Sequence, residues 1–159
     1  MQINQPAPDF ELPDLQSQLC RLSDYRGRIV IVNFWSAECL HTERTDRLTM
    51  DYLAEWGDGV ELLSIAANRN EHAQMVEEVA RVRRLPKVLL DEGHTVADLY
   101  EAFATPHAFV VDRDRILRYR GAVDDITFRH RKATRFYLKD AVDALLADCL
   151  PELQETLAY

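Results

Sequence analysis

The segment NFWSAECLHTERTD, Asn33 to Asp46, sets one cysteine, Cys39, between an apolar strand-like run and a helix-like run. A cysteine at the first turn of a helix meets unpaired backbone N–H groups and the positive end of the helix dipole. Both favour thiolate over thiol. The thiolate is the form that attacks a peroxide or a disulfide sulfur. Three residues on, where a second thiol on the same turn would let the protein resolve its own mixed disulfide, stands Thr42. Cys39 is therefore either the attacking half of a redox pair completed from outside, or an inert thiol at a lapsed site. Its placement at a helix start favours the first reading.

The neighbours pull in both directions. Glu38 precedes the sulfur and Glu43 shares its helical face at i+4, so both oppose negative charge there. Protonated His41 would favour it, although i and i+2 do not share a face. Trp35 is expected close to Cys39, chiefly as core.

The elements that position these residues follow from periodicity. RIVIVNFW, Arg28 to Trp35, is a β-branched apolar run typical of a strand buried on both faces, and VELLSIAAN, Val60 to Asn68, reads as a second central strand. Glu38 to about Trp56 predicts a helix with Leu48, Tyr52, Leu53 and Trp56 on one side, stopped by Gly57. Glu71 to Arg84 predicts a helix carrying Met75, Val76, Val79 and Val82 inward, ended before Pro86. QLCRL is a short strand, KVLLD another, and TVADLYEAF a short helix. HAFVVDRDRILRYRG reads as two strands about a turn at Arg113-Asp114. A last helix, about Thr134 to Cys149, repeats Tyr137, Ala141, Val142, Leu145, Leu146 and Cys149 on one face. Alternating βαβ units followed by a hairpin and a covering helix imply a three-layer α/β/α sandwich with a central mixed sheet and an N-terminal hairpin extension. Residues 1–159 read as a single domain.

This order of elements, with APDFELPDL, RLSDYRGRIVIVNFW, ATPHAFVVDRDRILRYRG and RYRGAVDD in it, resembles the redoxin branch of the thioredoxin-like superfamily (AhpC/TSA, TlpA/ResA-like and peroxiredoxin-like proteins). The resemblance covers nearly the whole chain. It implies that Cys39 is the nucleophile and that Thr105-Pro106 is a cis peptide facing it, with backbone exposed to pair with an incoming peptide or thiol. It also marks departures. Cys-x-x-Cys becomes Cys39-Leu40-His41-Thr42, and the carboxylate that thioredoxins keep beneath the cysteine aligns with Asn33. Against the peroxiredoxin pattern Pro-x-x-x-Thr-x-x-Cys, Ser36 keeps a hydroxyl while Val32 replaces the proline. Arg118 and Arg120 are available by type to stabilise charge on a peroxide oxygen.

Composition narrows the partners. A formal net charge of -8 argues against nucleic acid, and the basic run Arg129 to Arg135 reads as a solvated face. No apolar run reaches the ~20 residues of a bilayer span, and the N-terminus lacks signal-peptide character, so the chain reads as cytoplasmic. The three cysteines, Cys20, Cys39 and Cys149, are odd in number and widely spaced, as in a reducing compartment. Cys149 is expected buried on the last helix, and Cys20 structural and half-exposed.

The functional expectation is a one-cysteine, peroxiredoxin-like antioxidant or thiol oxidoreductase that needs no cofactor. Its substrate would be a hydroperoxide or a disulfide, and its reductant an external thiol or thioredoxin-like protein. Cys39, Thr42, Thr105 and Pro106 form the site, supported by Trp35, Ser36, His41 and Glu43. Two alternatives stand beside it. One is a redox-inactive binding module using the Pro106 face. The other is a metal-binding variant through Cys39, His41 and His107, a soft N/S set suited to zinc or copper.

Overall fold

A computed structural model describes residues 1–127 and 129–159. Strands β1 (Glu11–Pro13) and β2 (Leu19–Arg21) form the expected antiparallel hairpin. Its turn is held by Asp14, whose carboxylate accepts the backbone N–H groups of Gln16 and Gln18 at 2.9 Å each. The main sheet contains β3 (Ile29–Trp35), β4 (Val60–Ala66), β5 (Val88–Leu90), β6 (His107–Val111) and β7 (Leu117–Gly121), ordered β5-β4-β3-β6-β7. The β3–β4 and β4–β5 pairs are parallel, and β3–β6 and β6–β7 antiparallel. β3 lies at the centre with all its residues buried, as a run that is apolar except for Asn33 requires.

Side-chain alternation along β3 splits the core between the two faces of the sheet. Val30, Val32 and Phe34 pack beneath the hairpin and helix α3 (Thr95–Tyr100). Ile29 and Ile31 pack beneath helix α4 (Tyr137–Leu146), and Trp35 beneath helix α2 (Ala73–Arg83). Helix α1 (Leu40–Trp56) lies on that second face, giving the three-layer mixed α/β sandwich that the sequence implies. Gly57, at φ +67°, ends α1, and its N–H returns to the Leu53 carbonyl.

Four expectations need correction. The buried stripe of α1 is Thr42, Thr45, Asp46, Thr49 and Tyr52, while Leu48, Leu53 and Trp56 are only partly buried, against the α4 cluster. The sheet face under this side offers Asn33 and Ser64, paired in register, rather than hydrocarbon alone. On α2, Val76 and Ala80 face inward and Val82 is 69% exposed, because six residues past Val76 is about 240° around the helix. Cys149 is exposed: α4 stops at Leu146, Asp148 takes a left-handed φ of +56°, and the Cys149 N–H caps the Ala144 carbonyl at 2.8 Å. Cys20, expected half-exposed, is buried, since the inward position of β2 points into the hairpin core beside Tyr25. Among the described residues, no helix is long and apolar enough to cross a membrane.

Candidate active site

Cys39 is the N-cap of α1, extended at φ -78° and ψ 122°, with its carbonyl accepting the Glu43 N–H at 3.2 Å. Its thiol is partly exposed and donates to the carbonyl of Thr105 at 3.2 Å. The Thr105–Pro106 peptide is cis. A loop 66 residues away in sequence therefore touches the sulfur through its main chain.

Thr42 is buried, and its hydroxyl serves the backbone instead of the sulfur. It bonds the carbonyls of Ser36 and Cys39, the latter at 2.7 Å, and accepts from the Arg83 guanidinium at 3.2 Å. Arg83, from the last turn of α2, also donates to the Ala37 carbonyl at 2.8 Å and to the Asp46 carboxylate at 2.9 Å, and lies over the Trp35 ring at 5.5 Å. Trp35 completes the group by donating its indole N–H to Asp46 at 2.7 Å. Burial pushes the Asp46 carboxyl above its ordinary value, against the opposing pull of Trp35 and Arg83.

A second clamp holds the loop from above. The Glu71 carboxylate accepts the Ser36 hydroxyl, the N–H groups of Ala37 and Glu38 at 3.1 and 3.2 Å, and the Asn68 amide at 3.2 Å. Burial alone would raise its pKa; the bonds from Ser36, Ala37, Asn68 and Glu38 prevail and hold it below the usual value. Ser36 thus spends its hydroxyl on Glu71. Arg118 is bound to Asp112 and Asn4, and Arg120 to Glu155 and Glu101, so both arginines considered for peroxide are committed elsewhere.

His41 and Glu43 lie on the exposed side of the first turn of α1. His107 is buried between Phe103 and Phe109, ring centroids 4.8 and 4.5 Å away, on the face of the sheet opposite α1. Its Nδ1 has no hydrogen-bond partner among the described residues, and burial, with a smaller push from Arg120, lowers its pKa to about 4. The metal set Cys39, His41 and His107 is therefore not assembled, and among the described residues no other group of three ligands is. Cys149 sits with Ile29 and Asp112, at the end of β3 away from Trp35, and a seven-residue strand spans about 20 Å. Neither Cys149 nor buried Cys20 is placed to pair with Cys39 in this conformation.

Two depressions flank the ridge Phe103–Ala104–Thr105. One of about 260 Å³ is walled by Trp35, Asn68 and His94, the other, of about 350 Å³, by His41, Arg44, Ile126 and Tyr159. The sequence reading did not single out Glu71, Arg83, Asp46 or Arg44. One signal was present: Thr42, Thr45, Asp46 and Thr49 repeat at i, i+3, i+4 and i+7, the spacing of one helical face.

Residues 3–120 match the model of the AhpC/TSA family. Among characterised proteins, the chain is 34% identical over 118 residues to the thiol-disulfide oxidoreductase ResA of Geobacillus kaustophilus, a match covering 70% of this chain and 64% of that protein. The chain thus spans less than two thirds of that relative. Among solved structures it is similar to a hypothetical protein of Sinorhizobium meliloti (26% identity, TM-score 0.83, covering 99% of this chain and 93% of that one). It is also similar to an uncharacterized conserved protein of Geobacillus kaustophilus (27% identity, TM-score 0.84, covering 97% and 87%).

Proposed function

The chain belongs to the AhpC/TSA family, in the redoxin branch of the thioredoxin-like superfamily, and from that premise we propose that it is a one-cysteine thiol–disulfide oxidoreductase acting through Cys39. The observation that carries the reading is the Cys39 thiol at the start of α1, in contact with the Thr105 carbonyl and partly open to solvent. As a thiol, Cys39 donates its hydrogen bond to the Thr105 carbonyl. Once the thiol proton passes to solvent, the thiolate at the helix N-terminus attacks one sulfur of a disulfide R–S–S–R′. A Cys39–S–S–R bond forms, the R–S–S–R′ bond breaks, and R′S⁻ leaves with the electron pair. An external thiolate then attacks the R sulfur, and Cys39 departs as thiolate. Thr42 has no sulfur with which to do this from within.

This cycle takes a disulfide substrate and an external thiol or thioredoxin-like reductant, and suits a reducing compartment such as the cytoplasm. We take residues 1–159 as one functional unit. The name of the Geobacillus kaustophilus relative supports disulfide chemistry. The hydroperoxide version has less behind it, because the Ser36 hydroxyl is taken by Glu71 and Arg118 and Arg120 are bound elsewhere.

The test is trapping. Reduced protein mixed with a peptide disulfide is expected to gain one peptide at Cys39 by intact mass and to lose it on adding a monothiol. A Cys39→Ser protein should gain none there. If wild type forms no adduct at Cys39, the proposal falls. If Cys39→Ser keeps full function in its host, the Pro106 face acts by binding alone.

A further inference from the structure

The chain beyond the family match builds a wall that the matched residues lack. After β7 it turns through Ala122 to Thr127, forms α4, and returns along the free edge of β7. The return is held by hydrogen bonds from the Arg120 N–H to the Gln154 carbonyl and from the Thr156 N–H to the Arg120 carbonyl, each 3.0 Å. The Thr156 hydroxyl accepts the Ala122 N–H at 3.0 Å and pairs with the Tyr119 hydroxyl at 2.7 Å. Gly121, at φ +147°, lets the strap pass: a Cβ there would meet the Thr156 hydroxyl oxygen at 2.2 Å. The strap buries Ala158 and brings Tyr159 to the Pro106 face.

A second tie closes the other side. Arg44, on α1, grips the buried Asp124 carboxylate with both terminal guanidinium nitrogens, one at 3.0 Å, and Asp124 accepts the Ile126 N–H at 3.1 Å. Between these ties lies the 350 Å³ pocket, with Phe103, Pro106, Val123, Ile126 and Tyr159 in its walls. Thr105 lines it too, and the Thr105 carbonyl accepts the Cys39 thiol hydrogen bond at 3.2 Å, so an occupant lies against the residue that the sulfur touches.

We infer that this pocket selects the substrate of Cys39, favouring disulfides whose reacting sulfur is flanked by an apolar side chain of leucine to phenylalanine size. The inference rests on the thiol–disulfide reading and names its substrate class. Phe103, Pro106, Val123 and Ile126 present hydrocarbon and Tyr159 adds a ring, a surface that rewards desolvated apolar groups, while His41, Thr45 and Thr127 make up a polar part of the rim. The Asp124 carboxylate is already matched by Arg44, so a cation gains nothing there. The volume lies at the small end of ligand sites, enough for one side chain and not for a long segment.

The experiment compares homodisulfides of Gly-X-Cys-Gly, with X as Phe, Leu or Ser, for the rate of adduct formation at Cys39. In parallel, the S-methyl versions, which cannot react, are titrated for binding. Phe and Leu are expected to exceed Ser about tenfold in both, and the ratio should collapse toward one in Ile126→Asp and in Tyr159→Ala. Tyr159 is 62% exposed, so its truncation leaves the core intact. Equal rates and equal binding in wild type, or a ratio untouched by both variants, would overturn the pocket. If no disulfide reacts at Cys39 while the S-methyl Phe peptide still binds preferentially and loses that preference in the variants, the thiol–disulfide reading fails and the apolar pocket stands.

Discussion

The Arg83 guanidinium donates to the Thr42 hydroxyl at 3.2 Å, one helical turn from Cys39, where a Cys-x-x-Cys protein would carry its second sulfur. The same cation reaches the Ala37 carbonyl and Asp46, so a single side chain from α2 fixes the loop before the cysteine, the first turn of α1 and the acid beneath it. The second thiol's place is taken by a hydroxyl built into the frame.

Removing that cation should be expensive. Arg83→Met leaves Asp46 buried without its charge partner and the Ala37 carbonyl without a donor, and breaking such a pair is worth about 3 kcal/mol. Urea unfolding should show that loss in Arg83→Met. Asp46→Asn added to it should recover a good part, because the orphaned charge is then gone. If the double variant is no more stable than Arg83→Met, the charge is not what the guanidinium serves.

Thr42→Cys should convert the chemistry. A sulfur three residues past Cys39 restores the spacing that allows an internal disulfide, so the peptide adduct at Cys39 should no longer accumulate. Intact mass after mixing with a peptide disulfide reads this directly: adduct in wild type, an internally oxidised protein in the variant. The reduced variant should lose roughly 1 kcal/mol for the hydroxyl bonds it gives up.

Glu71 gives a pH dependence of known sign. Its carboxyl sits below its ordinary value in the folded protein, after burial is outweighed by the bonds from Ser36, Ala37, Asn68 and Glu38. The ionised clamp therefore stabilises the fold above the unfolded value of ~4.3, and this contribution is lost as pH falls through the lower folded value. Glu71→Gln keeps an acceptor without the titration. It should be less stable than wild type near neutrality, with the gap narrowing as the solution is acidified below the unfolded value. A gap that stays constant with pH would show the clamp to be uncharged packing.

The fold was legible because its strongest signals are local. β3 opens on four consecutive β-branched residues, β4 is largely apolar, and α4 carries Ala141, Val142 and Leu145 at helical spacing. Cys39 was legible for the same reason, since its meaning comes from a strand–helix junction. The clamps were not. Arg83 lies 41 residues from Thr42, and Glu71 lies 34 from Ala37. Hydrogen bonds at such separations exist only once the β3–β4 and β4–β5 crossovers lay α1 and α2 side by side. Val82 misled because an apolar residue near a helix end was assigned by type, and Cys149 because the period of α4 was carried past a left-handed Asp148 that ends it. The wall carrying Ile126 and Tyr159 depends on a strap laid along a sheet edge, which no period in its own sequence announces.

His107 supplies the last prediction, through a group that burial keeps neutral. It follows Pro106, packs between Phe103 and Phe109, and has its pKa lowered to about 4 by desolvation first and Arg120 second. In the unfolded chain it titrates near the ordinary value of ~6.5. Above that value both states are neutral and His107 adds no pH dependence. Between the unfolded and folded values only the unfolded chain takes the proton, so stability falls as pH falls, by roughly 3 kcal/mol in all. Below the folded value both states are charged and the dependence ends. Asp46 pulls the other way, since its raised carboxyl takes a proton earlier in the folded protein. The clean measurement is therefore the difference between wild type and His107→Leu, by urea unfolding at a series of pH values. That difference should shift in favour of the leucine variant across the window and be level on either side. A flat difference would mean that the ring next to Pro106 is charged in the native state or open to water.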